Sequence, residues 1–168
     1  MHRRPPYGKL TCLAICVTVF SGGTCPVPSI GVVCSNALDA SMFGFSLVVP
    51  PEFVCTTVIP NSALLLSARY RQASTGFVVS VAVAPSADTT IQSGDGITTE
   101  DLGAITNSNN VAFQRTKAVI ASLNAFSFVG TTVLPSGNTL GITVAGLSDD
   151  PALRTAFDAI VESVQLVP

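Results

Sequence analysis

The sequence predicts an α+β fold, an antiparallel β-sheet flanked by helices. Three observations lead there. Short runs alternate apolar and polar side chains, as half-buried strands do. Compact turn sequences separate these runs: QASTG at 72–76, Asn124, and PSGN at 135–138. Near the C-terminus the period changes from two to that of an amphipathic helix.

The domain is expected to begin near Met42. Residues 44–49 (GFSLVV) read as a strand stopped by Pro50 and Pro51, and residues 54–59 as a short element ending at Pro60. Over residues 64–71, Leu64, Leu66, Ala68 and Tyr70 alternate with Leu65, Ser67, Arg69 and Arg71. Residues 77–84 (FVVSVAVA) return as the second arm of an antiparallel hairpin. The polar stretch 85–100 reads as a loop. Thr98 or Thr99 then caps an expected short helix over 100–105, with Glu100 and Asp101 at its positive end, and the run 107–110 (NSNN) ends it. Residues 113–122, 125–134 and 139–145 read as three further strands.

The last element has the clearest signal. Asp149 and Asp150 precede Pro151, so an aspartate caps a helix whose first position is proline. Leu153, Ala156, Phe157, Ile160, Val161 and Val164 share one face, with Arg154, Asp158 and Glu162 opposite. That stripe is core.

The N-terminus reads as a secretory signal over 1–24, followed by a linker over 25–41. Residues 1–9 carry three bases and no acid, residues 10–20 are apolar, and small residues follow. Removing this leader removes His2, the chain's one histidine. Five basic and ten acidic side chains would remain, a net charge of −5 that repels phosphate backbones and argues against nucleic-acid binding. The composition is 48% hydrophobic and 11% charged, which argues against disorder.

Cys12 and Cys16 sit in the apolar run as small hydrophobes. Cys25 stands where a bacterial lipoprotein is cut and acylated; ordinary cleavage after Gly23 is the rival. A third reading keeps 10–34 as an uncleaved anchor, since the stretch is uncharged, although Pro26, Pro28 and two glycines interrupt it. If Cys25 is acylated, Cys34 and Cys55 remain as a pair. In an oxidising compartment they would form a disulfide stabilising the fold by roughly 3 kcal/mol. The alternative is a buried free thiol at Cys55 and a flexible Cys34.

No catalytic constellation stands out. A serine hydrolase needs a base, and no G-x-S-x-G is present. Ser93-Gly94-Asp95-Gly96 lacks the lysine of a phosphate loop. Separated cysteines without histidine make no zinc site. No metal, cofactor or catalytic residue is therefore assigned. Asp88, Asp95, Glu100 and Asp101 form one cluster to test, either for calcium or for a carboxylate-dependent hydrolase in the 85–110 loop, against a plain solvated loop. Arg69 with Arg71, and Arg115 with Lys117, each lie at i and i+2 on a strand. If the strands are in register, these four bases make a patch for an acidic partner; otherwise they are solvent-face charges.

Three local patterns carry a family resemblance: GFSLVVPPEF at 44–53, LPSGNTLGITVAG at 134–146 and FDAIVESVQL at 157–166. Together they resemble the PsbP-like superfamily, which includes DcrB-like and LpqN-like bacterial lipoproteins, over about residues 42–168. The resemblance implies an α/β/α sandwich and a binding or assembly role without catalysis. The expectation is an extracytoplasmic, non-catalytic domain of the cell envelope, lipid-anchored or secreted. Its partner would be another envelope protein, met through the sheet face or the 85–110 loop, with membrane contact only through a lipid anchor or uncleaved leader.

Overall fold

Alternating side chains and tight turns build ten strands and one α-helix in this computed structural model, which describes residues 31–59, 64–85 and 96–167. The strands are β1 (Ala37–Ala40), β2 (Phe45–Val48), β3 (Val54–Ile59), β4 (Leu66–Arg71), β5 (Val78–Ala84), β6 (Ile97–Thr106), β7 (Ala112–Ile120), β8 (Ala125–Val133), β9 (Thr139–Gly146) and β10 (Gln165–Leu166). Helix α1 (Pro151–Ser163) lies between β9 and β10. A seven-stranded sheet runs β3-β4-β5-β9-β8-β7-β6, and a three-stranded one runs β1-β2-β10. Every pairing is antiparallel. The fold is therefore a β-rich α+β arrangement, as the periodicity predicts, with a single α-helix among the described residues.

One face of the large sheet is the core. Val79, Val81 and Val83 of β5 stand opposite Val144, Ile142 and Leu140 of β9, and opposite Tyr70, Ala68 and Leu66 of β4. All nine are fully buried. Phe128 continues this row on β8. Helix α1 covers β8 and β9, while the small sheet adds Leu38, Ala40, Phe45 and Leu47 to the same core. Each large apolar side chain among these contributes roughly 1.5–3 kcal/mol on burial.

The helix begins as expected. Asp150 is the N-cap, its Oδ1 accepting from the Ala152 N–H at 2.8 Å, and Pro151 occupies the first helical position. Two glycines admit the helix to the sheet. A Cβ on Gly130 would lie 3.0 Å from Cζ of Phe157, and one on Gly146 would lie 2.9 Å from Cδ1 of Phe77 and 3.2 Å from Cδ1 of Leu153. At its far end, Ser163 accepts from the Val48 N–H at 2.9 Å and donates to the Val48 carbonyl at 3.0 Å.

Three expectations change. The helix expected over 100–105 is strand: β6 pairs with β7 along its length. Gly103 at φ +75° sits in a bulge after Asp101, and Asp101 Oδ1 accepts from the Gly103 N–H at 2.8 Å. The aspartate thus caps a bulge and not a helix. The run 107–110 is the β6–β7 turn. Within the linker expected over 25–41, residues 37–40 are strand β1, with Leu38 and Ala40 0% and 1% exposed; residues 25–30 lie outside the described residues. Flanking by helices is one-sided here: α1 packs on the core face, and no described helix packs on the other.

Asn107 joins the β6–β7 turn to the helix. It is 4% exposed. Its Nδ2 donates to the carbonyls of Val161 and Val164, both at 2.9 Å, and its Oδ1 accepts from the N–H groups of Asn109 and Val111. Removing a buried group with this many partners leaves unsatisfied carbonyls and amides. Asn107→Ala is expected to cost roughly 2–3 kcal/mol in urea unfolding. Gly146→Ala is expected to cost about 1–3 kcal/mol by overpacking Phe77 and Leu153. A wild-type midpoint in either variant would contradict these roles.

Candidate functional site

Register decides what the candidate cations can do. Arg69 of β4 pairs with Ser80, Ser80 with Thr143, Thr143 with Val129, and Val129 with Thr116. Thr116 therefore shares the face of Arg69, and its neighbours Arg115 and Lys117 point the other way. The expected patch of four bases does not form. Arg69 and Arg71 lie on the face away from the helix; Arg115 and Lys117 lie on the core face, and β5, β9 and β8 separate β4 from β7. Parity with Phe113, buried on the same strand, is the sequence signal that places Arg115 and Lys117 inward.

The inward pair fastens the helix. Arg115 donates from Nη2 to the Leu102 carbonyl at 3.2 Å, at the β6 bulge, and its Nη1 lies 3.8 Å from Asp158 Oδ1 on α1. Arg154 reaches the other oxygen of Asp158 at 3.5 Å. Lys117 donates to Asp149 Oδ2 at 2.8 Å, and its ammonium sits 5.8 Å from the ring centres of both Phe126 and Phe128. Arg69 and Arg71 differ from these three: they have no carboxylate partner among the described residues. Arg69 is half-buried and Arg71 exposed. Beside them on that face stand Val54, Thr57, Val78 and Ser80.

The carboxylate cluster does not converge in its described half. Glu100 pairs with Lys117 and Asp101 with Thr116, so the two side chains leave opposite faces of β6. Asp101 Oδ1 also accepts from Gln114 Nε2 at 2.7 Å. Asp88 and Asp95 lie outside the described residues. Among the described residues, no cluster of His, Cys, Asp and Glu could hold a metal ion. An open groove of about 400 Å³ runs between β6–β7 and α1, lined by Ile105, Arg115, Asp158, Ala159, Val161 and Glu162. Its charged groups hold the fold together, since Arg115 meets Asp158 and Glu162 Oε1 accepts from the Ser108 N–H at 3.1 Å.

Cys34 and Cys55 are joined in a disulfide, with Cα atoms 5.6 Å apart. The next two residues are held as well. Tyr70 Oη donates to the Ser35 carbonyl at 3.0 Å. Asn36 Nδ2 donates to the carbonyls of Val49, Pro50 and Phe53 at 3.1, 2.9 and 2.7 Å. The sequence marks the two cysteines but not Asn36, which no local motif distinguishes. Cys25 and the leader expected over 1–24 lie outside the described residues. No helix among the described residues is long and apolar enough to cross a membrane.

Comparison with family profiles and with curated proteins returns no match. Among solved structures, the chain is similar to a mutant of the protein Mog1, with 13% identity and a TM-score of 0.49, over 74% of this chain and 91% of that one.

Burial pushes the Tyr70 hydroxyl up from its ordinary value near 10 to about 12. Below pH 10 the phenol is neutral whether the chain is folded or unfolded, and its stabilisation is complete. Between pH 10 and 12 the unfolded chain loses the proton first, so stability falls by about 3 kcal/mol across that window. In protein lacking the leader, Tyr70 is the one tyrosine. Its phenolate absorbance is expected to rise near pH 12 in the folded protein and near pH 10 in urea; a folded midpoint near 10 would contradict its burial.

Proposed function

We propose that the chain is an exported, non-catalytic binding or assembly domain of the cell envelope. Its mature part would be tethered through Cys25 or released after leader cleavage. In this reading the layers form one side of a PsbP-like α/β/α sandwich, with α1 as an outer layer. The partner is an acidic envelope protein that meets the sheet face opposite the helix.

The observation that carries the reading is the division of the cations. Of the five that follow the leader, Arg115, Lys117 and Arg154 have carboxylate partners among the described residues, and Arg69 and Arg71 do not. Two neighbouring guanidinium groups on one strand face suit bidentate recognition of carboxylates. The Cys34–Cys55 disulfide supports an oxidising compartment. The engaged carboxylates Asp101, Asp158 and Glu162 support a role in contact over turnover.

Exposed Arg154 serves as a control on the helix side. Captured from envelope extract, an acidic partner is expected to bind wild-type and Arg154→Glu protein alike. Arg69→Glu/Arg71→Glu is expected to lower its recovery at least tenfold at unchanged stability. Equal recovery with the double reversal, or turnover in a screen of ester and glycoside substrates, would overturn the proposal.

A further inference from the structure

We propose that Cys34, Ser35 and Asn36 form a clasp that carries tension from the N-terminal linker past β1 and β2 and into the large sheet. The proposal rests on the reading of the chain as tethered through its N-terminus. The first and last described strands belong to the small sheet: β1 and β10 pair with opposite edges of β2. Strand β1 has four residue pairs on β2, and β10 has two. Terminal strands this short fray readily. A pull on the linker without the disulfide would load β1 directly and lift Leu38 and Ala40 from the core.

The disulfide changes that path. Cys34 lies before β1, and Cys55 lies on β3, an edge strand of the seven-stranded sheet. Tension arriving at Cys34 crosses the covalent bond to β3. Strands β1 and β2 then sit in a closed loop spanning 21 positions, off the covalent path that tension from the linker takes. Just behind the bond, Tyr70 holds the Ser35 carbonyl, and Asn36 holds the chain on either side of Pro50 and Pro51. These bonds keep the loop folded where its two ends meet.

Single-molecule pulling of the full chain, with handles at both termini, tests the clasp. The reduced chain is expected to release residues 34–54 first, as a separate step of roughly 7 nm, while the large sheet stays folded. The oxidised chain is expected to show no such step. Asn36→Ala is expected to lower the force of the early step in the reduced chain and to leave the oxidised trace unchanged. A reduced chain that unfolds in one event, with no early release, would overturn the clasp. The tether is tested separately by the intact mass of protein recovered from native envelopes. A chain cut after Gly23 and free of lipid would sink the tether and leave the pulling result standing.

Discussion

The approach of α1 to the large sheet governs the arrangement, and two missing side chains permit it. Gly130 and Gly146 face the helix from β8 and β9, where Phe157, Leu153 and Phe77 leave no room for a Cβ. Protein interiors resist even one added carbon at such contacts. With the helix seated, its polar flank has fixed neighbours. Asp158 meets Arg115, Ser163 meets Val48, and the carbonyls of Val161 and Val164 meet Asn107. The cations of β7 are engaged by this fit and lie on the face of the sheet opposite Arg69 and Arg71.

Most elements could be read from the sequence because their signals were local. The aspartate cap and Pro151 mark the start of α1, and its stripe identifies the buried face. The hairpin turns at 72–76 and 135–138 bracket strands with strong alternation. Strand β6 lacked that advantage. As an edge strand it has little apolar content, and Thr98, Thr99, Glu100 and Asp101 imitate the first turn of a capped helix. Gly103 in left-handed geometry and the β-branched Ile97, Thr98, Thr99, Ile105 and Thr106 point to strand, but only pairing with β7 decides it. Strand β1 is illegible for a related reason, since Leu38 and Ala40 alone make too short an alternation to stand out from a linker.

The candidate site was legible by residue type and illegible by face. Bases at i and i+2 must share a side of their own strand. Whether two strands put theirs on the same side depends on register summed across β5, β9 and β8. No local pattern contains that sum, because three of the pairings are set by separate turns and the fourth, β5 with β9, joins strands far apart in sequence. The same parity separates Glu100 from Asp101, which look like a cluster when written in a line.

The charges left over then have a physical logic. A chain shed of residues 1–24 would carry net −5, and such a surface repels acidic partners at a distance unless it presents cations where they dock. Arg115, Lys117 and Arg154 have carboxylate partners, so under the proposed reading the attraction for an acidic partner comes from Arg69 and Arg71. These lie on β4, next to β3, and β3 is where Cys55 receives the N-terminal chain. Under the proposed reading, partner and tether engage adjacent strands of the same sheet. A force between them would then cross the β3–β4 ladder and bypass the core beneath α1.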